Sequence, residues 1–427
     1  MNLPDAPKCL VFPDGDDWIV YAPVSHLVLR SNEAGAQRFR GFVDVGSNLG
    51  EPSAPPEPSR DELGFPPTNV TIMTSNMCGQ RCVYCYGTPA HANRSVLNQE
   101  FCRVALELMA TRAREARQPV RAFFHGVGEP TFAWTCFQEC VGIVRETGDR
   151  SGVPTFLRLC SGGQISDQQA EWIAEHFDEV NVSLDGPRDI QNRQRPRQDG
   201  RDSFDGPLRL ARAVVKRGKK LCMKTTVTEL TVHRTGEIVE FVAREIGRVR
   251  LDLCMMFQTP WVDTDAAQPP LWQQYVAEFG KALDLGARLG VKVRHPTISF
   301  ESLCSGYSFN VATHFCLAPP NIVTSFFDVP EEGAGTPSAG AYGWYDAATR
   351  TLHFDHDKRR RLEEQQALSE CRCCACGPAC LGAAGVKGRV PREVTVLGPV
   401  CQARIGVLKE LLRRVVPKRG ALLEVGV

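Results

Sequence analysis

Hydrophobic and polar positions follow a repeating order through the middle of the chain. Short apolar runs alternate with long amphipathic segments, such as residues 99–117 and 203–218, in which apolar positions recur at helical spacing. The predicted strands are VTIMTS (70–75), RAFFHG (121–126), TFLRLCS (155–161), EVNVSLDG (179–186), LCMKTTV (221–227) and VRLDLCMMF (249–257). Such strand–helix alternation is typical of an α/β fold with parallel strands, either doubly wound or part of a barrel.

The flanking segments follow other patterns. WIVYAPVSHLVLR (18–30) predicts short strands and NEAGAQRFRGFV (32–43) predicts the start of a helix, whereas residues 46–67 are rich in Pro, Ser and charge, as in a linker. The expected divisions are a small N-terminal α+β unit (1–50), a linker (51–67), the central unit (68–262), a bridging helix (263–300), an irregular cysteine-rich domain (301–410) and a final helix end with a tail (411–427).

Composition argues against several classes of function. A net charge of +1 at pH 7 gives no support for a nucleic-acid-binding or membrane-surface role, so we expect neither kind of partner. The first residues contain no basic segment followed by an apolar run. No apolar stretch reaches the roughly 18–20 residues that span a bilayer. We therefore expect a cytoplasmic location.

Cysteine is frequent, with 18 residues, and is unevenly placed. In a reducing compartment, clustered thiols are more often metal ligands than disulfides. We expect the scattered cysteines to be small buried apolar side chains. These scattered residues are Cys9, Cys102, Cys136, Cys140, Cys160, Cys222 and Cys254.

The segment CGQRCVYC (78–85) places Cys78, Cys82 and Cys85 directly after the first strand of the central unit. A structural zinc site takes four ligands, usually as two separated pairs. A cubane iron–sulfur cluster can be held by three cysteines, which leaves one iron open for a further ligand. The carboxyl end of a parallel strand is also where ligands collect. The motif therefore favours an iron–sulfur centre with an open iron.

This spacing, with the aromatic Tyr84 before the third cysteine, resembles the signature of radical S-adenosylmethionine (SAM) enzymes. The resemblance implies a [4Fe-4S] cluster on Cys78, Cys82 and Cys85 whose open iron binds the methionine moiety of SAM. Electron transfer from the cluster then cleaves the sulfonium and releases a 5′-deoxyadenosyl radical that abstracts hydrogen from the substrate. A flavodoxin- or ferredoxin-type electron donor is implied as well.

The segment FHGVGEPT (124–131) resembles the family's Gly-Gly-Glu motif. Gly126, Gly128 and Glu129 would then lie at the methionine amino group, because glycine lets the backbone approach a ligand closely. Val127 replaces one glycine of the commonest form.

Later strand ends continue the family order. Ser161 stands where the family places a polar residue on the ribose, and Ser183 ends the next strand, where the resemblance implies that it faces the cofactor. Arg195 matches an arginine that pairs with the methionine carboxylate, a role that suits a guanidinium group. The resemblance covers roughly residues 68–260 and implies a partial (β/α)6 TIM-type barrel.

A second group of cysteines resembles the SPASM extension of radical SAM enzymes that modify peptides and proteins. The matching spacing is Cys371-x2-Cys374-x5-Cys380, followed by Cys401. The resemblance implies that these four thiolates hold one auxiliary [4Fe-4S] cluster. Four cysteines at such spacings could also form a zinc knot, but the first motif makes iron–sulfur the favoured interpretation.

The other auxiliary cluster of that extension is expected to be lost. Cys304 and Cys316 could supply two of its ligands, but a phenylalanine and an alanine stand at the other two positions. A site rebuilt with Cys373 or Cys376 is the alternative.

Together the patterns predict an enzyme that abstracts hydrogen from a ribosomally made precursor peptide, giving a crosslink, an epimerised centre or an oxidised residue. The N-terminal unit loosely resembles a peptide-recognition domain that adds a substrate leader as an extra strand; a structural cap is the alternative. The competing hypotheses are a sulfatase-maturase-like enzyme and a non-catalytic metal-binding module. Residues 190–192 replace a His-Asp pair of many relatives, so no catalytic acid or base is assigned.

Overall fold

The structure is a computed structural model that describes residues 9–22, 27–44, 69–85, 87, 94–258, 262–298, 315–325, 340–366, 376, 398–416 and 423–424. Within these ranges the chain forms one sheet of four strands and one of eleven. No helix of the described residues is long and apolar enough to cross a membrane. The predicted linker and Cys371, Cys374 and Cys380 lie outside the described residues.

The smaller sheet is antiparallel. Its first strands are β1 (Leu10–Asp14), β2 (Asp17–Ala22) and β3 (Leu27–Ser31), and helix α1 (Glu33–Asp44) follows them. Gly15, with a φ of +63°, allows the tight turn between β1 and β2. The sequence predicted β2, β3 and α1 but missed β1, a short strand that contains a proline.

Parallel strands form the centre of the larger sheet, in the order in which they occur along the chain. They are β4 (Asn69–Ile72), β5 (Val120–Phe124), β6 (Thr155–Ser161), β7 (Glu179–Ser183), β8 (Lys220–Val227), β9 (Arg250–Met255) and β10 (Lys292–Arg294). The first six closely match the predicted strands, and β10 is an addition that the sequence did not indicate. This uninterrupted order is that of a partial TIM-type barrel.

Helices connect these strands and cover the outer face of the sheet. They are α2 (Gln99–Glu115), α3 (Trp134–Ser151), α4 (Asp167–His176), α5 (Arg188–Gln194), α6 (Asp205–Lys216), α7 (Thr235–Glu245) and α8 (Trp272–Leu289). Leu157 and Leu159 of β6 are fully buried in the core on this side. The alternate residues Arg158 and Cys160 lie on the opposite, concave side, because side chains alternate along a strand. The two faces therefore differ: an apolar outside under the helices and a more polar lumen.

Beyond β4 the large sheet continues into the region that was expected to be irregular. Its described part forms β11 (Phe315–Ala318), β12 (Ile322–Thr324), β13 (Ala341–Asp346) and β14 (Thr351–Phe354). Strand β11 is parallel to β4, and the following pairs are antiparallel. These runs are too short for a sequence pattern to separate them from loops.

The last described elements are α9 (His356–Gln366), α10 (Pro399–Val415) and β15 (Leu423–Glu424). Helix α10 packs on α8, where Gly406 lies against Val276 and Arg414 pairs with Asp284 at 2.9 Å. Residues of α10 and of the small sheet belong to the same hydrophobic core as the barrel. The described N-terminal unit is therefore packed into the rest of the fold.

Candidate active site at the carboxyl end of the sheet

The loop 78–85 follows β4 and is held by main-chain hydrogen bonds. The backbone amides of Arg81 and Val83 donate to carbonyls of the segment 194–196, at 2.8 and 3.0 Å. The amide of Gln80 lies 3.4 Å from the Sγ of Cys78. The loop that carries the three predicted cluster ligands is thus tied to the segment that carries Arg195.

The three cysteines of this loop are half-buried and act on one another electrostatically. Burial raises the pKa of the Cys82 thiol to about 12, although the charge of Arg195 opposes the shift. Burial, and then the charge of Glu129, raise the pKa of the Cys78 thiol above its usual value. Thiolates at this place therefore need added positive charge, which a bound iron–sulfur cluster supplies.

The donor set fits such a cluster. Among the described residues, no three His, Cys, Asp or Glu side chains are arranged to hold a single metal ion. An iron–sulfur cluster is held by cysteine thiolates, and one short loop supplies three of them. Cys78, Cys82 and Cys85 are accordingly the residues that could hold it.

Arg195 lies directly beside this loop. Its guanidinium lies 5.3 Å from the centre of the Tyr84 ring, and its Nη1 is 4.0 Å from the Sγ of Cys82. Its Nε forms an ion pair with Asp185 at 3.1 Å. Burial alone would lower the pKa of Arg195. The charges of Asp185, Tyr84 and Cys82, in that order, outweigh it and hold this pKa well above its usual value. The predicted SAM contacts Tyr84 and Arg195 are therefore brought together next to a predicted cluster ligand.

Asp185 holds this group in place, a role that the sequence motifs did not indicate. Its carboxylate accepts hydrogen bonds from the Tyr84 hydroxyl, from Gln194 Nε2 at 2.8 Å and from the amide of Thr226 at 2.9 Å. The side chain is fully buried. Asp185 lies two residues after the end of β7, in the segment SLDG (183–186), and an acidic residue at this place was the available signal. Its partners became visible only in the folded chain.

Glu129 and Ser161 form a second hydrogen-bonded group. The Ser161 hydroxyl donates to Glu129 Oε1 at 2.8 Å, and the amide of Gly162 donates to Oε2 at 2.7 Å. Thr131 also donates to Oε1, through its hydroxyl at 2.7 Å. The carboxylate therefore links the ends of β5 and β6, and both predicted SAM contacts lie in this link.

Gly126 and Gly128 lie where the chain passes close to the loop before the cysteines. A Cβ on Gly128 would lie 2.4 Å from the carbonyl oxygen of Ser75, which is backbone. The three atoms nearest to a Cβ on Gly126 belong to the flexible side chain of Met73, the first of them at 2.5 Å. Glycine at 128 therefore allows close packing against the backbone that precedes the cysteine loop, and the approach of this motif to the methionine amino group stays a prediction.

A cleft of about 410 Å³ opens beside Cys78. Its walls include Glu129, Phe132, Gln164 and Arg197. This volume is in the range of roughly 300–1,000 Å³ that is common for small-molecule sites. The cleft therefore gives a small ligand access to the cysteine loop.

Ser183 belongs to neither hydrogen-bonded group among the described residues. It ends β7, where it pairs with Lys224 of β8 in the strand register.

Two buried titratable groups, Lys224 and His125, lie near this strand end. Burial alone would lower the pKa of Lys224, but the nearby groups, Cys160 and Cys254 foremost, raise it above its usual value. Burial, and then the charge of Lys224, lower the pKa of His125 to about 3. The lumen therefore holds a charged lysine and a neutral histidine, which a strand pattern alone does not reveal.

The second cysteine group is described only in part. Cys401 lies half-buried in α10, and Cys376 is buried. Cys316 is buried in β11, where burial raises the pKa of its thiol to about 12 although Thr71 opposes the shift.

The scattered cysteines are mostly buried, as expected. Two of them, Cys9 and Cys254, are half-buried. The buried ones are Cys102, Cys136, Cys140, Cys160 and Cys222.

Comparison with known proteins identifies the central unit. Residues 72–242 match the Radical SAM superfamily. The chain is 28% identical over 216 residues to an uncharacterized protein of Methanothermobacter thermautotrophicus, in a match that covers 50% of this chain and 76% of that protein. It is 27% identical over 181 residues to a cysteine-type anaerobic sulfatase-maturating enzyme of Clostridium perfringens, covering 42% of this chain and 49% of the enzyme. The matched part thus spans about half the length of that relative.

Solved structures agree on the fold. The structure of native anSMEcpe with bound AdoMet and Cp18Cys peptide superposes with a TM-score of 0.61 at 16% identity, covering 81% of this chain and 97% of the other. A [4Fe-4S] cluster and SAM are the cofactors expected of this family. Residues 72–242 of this chain are thus a radical SAM domain.

Proposed function

We propose that this protein reductively cleaves SAM at a [4Fe-4S] cluster held by Cys78, Cys82 and Cys85, and so abstracts hydrogen from a peptide or protein. The observation that carries the proposal is the placement of the buried guanidinium of Arg195, with Nη1 4.0 Å from Cys82 Sγ. When bound, the cluster and SAM together supply a 5′-deoxyadenosyl radical, and the chain has to position and shield that chemistry.

The residues around the loop suit this task. Asp185 occupies the Nε side of Arg195, which leaves the Nη side facing Cys82 and available to a carboxylate. The ring of Tyr84 makes a cation–π contact with the guanidinium of Arg195. Glu129 and Ser161 fix the strand ends beside the cleft, where the amino group and ribose of SAM would lie.

For the substrate we propose a ribosomally made precursor peptide, modified by crosslinking, epimerisation or oxidation. A SPASM-like spacing at Cys371, Cys374, Cys380 and Cys401 supports this class, with one auxiliary [4Fe-4S] cluster on these residues. The match to a sulfatase-maturating enzyme keeps a second candidate, oxidation of a residue in a sulfatase-like protein. A flavodoxin- or ferredoxin-type protein would deliver the electron in either case.

The test is anaerobic reconstitution followed by incubation with SAM and dithionite. Release of 5′-deoxyadenosine and about eight irons per chain are expected from two four-iron clusters. Peptides from short reading frames beside the gene and a cysteine-containing sulfatase peptide are then compared by mass spectrometry. Modification of the former alone supports the first substrate class, and modification of the latter alone supports the second. Zinc binding without SAM cleavage would overturn the proposal.

A further inference from the structure

The neighbouring strands β6 to β9 carry charged side chains on the concave face of the sheet, because alternate residues of a strand share a face. The anions on this face are Glu179 and Asp252, and arginines pair with both. Glu179 lies 3.0 Å from Arg158 and 3.4 Å from Arg250. Asp252 lies 3.4 Å from Arg250. Two carboxylates and two guanidinium groups therefore neutralise one another in a linked chain.

Lys224 of β8 is a further cation on this face. In the strand register it lies between Ser183 of β7 and Asp252 of β9, but Asp252 forms its ion pair with an arginine instead. The ammonium group of Lys224 forms no hydrogen bond or ion pair within the part of the chain that the structure describes. The side chain is partly exposed, whereas its neighbours Met223 and Thr225 are fully buried on the helix side. The exposed part of Lys224 therefore faces the lumen.

Three titratable side chains near Lys224 are neutral at pH 7 and give it no counter-ion. Burial raises the pKa of the Cys254 thiol to about 12, although the charge of Lys224 opposes the shift. Burial, and then the charge of Asp252, raise the pKa of the Cys222 thiol to about 12 as well. The pKa of His125, lowered to about 3, leaves that ring uncharged. An unbalanced positive charge therefore remains at Lys224.

Lys224 lies below the group that surrounds Arg195. Thr226, two residues farther along β8, donates its amide to Asp185 at 2.9 Å, and Asp185 pairs with Arg195. Two residues of a strand span roughly 7 Å, which is the distance along β8 between Lys224 and this contact. The charges of Lys224, Asp185 and Arg195 all act on the Cys254 thiol. The ammonium group is therefore on the lumen side of the site proposed for SAM.

We propose that Lys224 binds a carboxylate of the peptide substrate, and so selects peptides that present an Asp or Glu side chain at or beside the modified residue. The identity of the ligand as a peptide rests on the proposed function. A partly desolvated ammonium group gains more from a carboxylate than an exposed lysine does, because water screens the attraction less. A substrate with an amide or alkyl group at this place would instead leave an unpaired cation buried beneath it.

The experiment measures the binding of three short peptides to the reconstituted full chain without SAM, by isothermal titration calorimetry. The probes are acetyl-Gly-Glu-Gly-amide, acetyl-Gly-Gln-Gly-amide, and acetyl-Gly-Gln-Gly with a free carboxyl terminus. We expect the glutamate peptide to bind about tenfold more tightly than the glutamine amide, because it adds a charge-assisted pair. A gain for the third probe alone would assign Lys224 to a peptide terminus and would overturn the selection of acidic side chains.

Three variants locate the preference. Lys224→Met removes the charge from a side chain of similar length and should bind the glutamate and glutamine amides equally. Lys224→Arg restores the charge and should keep the preference for glutamate. The matched control is Lys220→Met, an exposed position on the same strand and face, which should also keep the preference.

The contrary outcomes are equally specific. No measurable binding of the glutamate peptide, equal affinities in the natural protein, or a preference that survives in Lys224→Met would overturn the proposal. An unchanged preference together with weaker SAM binding in Lys224→Met would assign the ammonium group to the SAM carboxylate and would overturn it too.

Turnover connects this residue to the reaction. With a peptide that the activity assay finds modified, exchanging its acidic residue for the amide should raise KM about tenfold in the natural protein and hardly change it in Lys224→Met. An efficiently modified peptide without an acidic residue would contradict the selection. The calorimetric comparison involves no SAM cleavage, so its failure is distinguishable from failure of the proposed chemistry.

Discussion

Asp185 and Arg195 form a buried ion pair beneath the cysteine loop, with 3.1 Å between Oδ2 and Nε and side-chain exposures of 0% and 11%. The same carboxylate accepts the Tyr84 hydroxyl and the Gln194 amide. One buried anion therefore holds parts of the cysteine loop, of the end of α5 and of the arginine that follows it. Orientation of Arg195 toward Cys82 depends on this anion.

Replacing Asp185 by asparagine should destabilise the fold by about 3 kcal/mol, because a buried arginine would lose its charge partner. Urea unfolding of the cluster-free protein measures the change. The control is Asp199→Asn, which removes an exposed carboxylate paired with Arg197 and Arg201 and should cost less than about 1 kcal/mol. Equal costs for the two variants would show that Asp185 does not anchor Arg195.

Alanine at Gly128 should cost about 1–3 kcal/mol, because its Cβ would meet the backbone at Ser75 and Asn76 and force the loop before Cys78 to move. The matched control is Gly142→Ala in α3, where no atom lies within 4 Å of an added Cβ. That change should stabilise the helix by about 0.5–1 kcal/mol. Thermal unfolding compares the two, and a neutral effect of Gly128→Ala would contradict the close packing.

Acidification should weaken the fold through His295. This ring is buried and packs against Tyr275 and Phe279. Burial, and then the charge of Arg404, lower the pKa of His295 to about 3. The unfolded side chain titrates near 6.5, so below about pH 6.5 the unfolded state binds a proton that the folded state excludes. The contribution of the neutral His295 ring to the free energy of unfolding is therefore complete above pH 6.5, and it is lost as pH falls toward 3.

Urea midpoints at pH 7 and pH 5 give the test. Between these values the natural protein should lose about 2 kcal/mol more stability than His295→Gln, at about 1.4 kcal/mol per pH unit below 6.5. Identical losses would mean that His295 is protonated in the folded protein.

Iron content tests the assignment of Cys401. After anaerobic reconstitution, Cys401→Ala should retain about half of the iron of the natural protein, because one of two four-iron clusters would lose a ligand. Cys9→Ala, in a half-buried position outside both groups, should retain all of it. Full iron content in the Cys401 variant would place its thiol outside any cluster.

The central strands were predictable because apolar β-branched residues recur at regular intervals between amphipathic helices. The motifs that contain Tyr84 and Arg195 are local and could be read from the sequence, whereas the SAM contacts assigned to these residues stay predictions. The role of Asp185 was not, since its partners come from the cysteine loop, α5 and β8 and meet only after folding. Strand β15 could not be predicted for another reason. It contains two residues, which is too short for a hydrophobic pattern, and only its pairing with β3 defines it as a strand.

The most direct test of the proposed chemistry compares Cys82→Ala with Cys102→Ala. Cys102 is fully buried in α2, away from the cysteine loop. Each variant is reconstituted anaerobically and supplied with SAM and dithionite, and 5′-deoxyadenosine is quantified by chromatography. We expect no cleavage product from Cys82→Ala and near-natural amounts from Cys102→Ala. Undiminished 5′-deoxyadenosine from Cys82→Ala would contradict it.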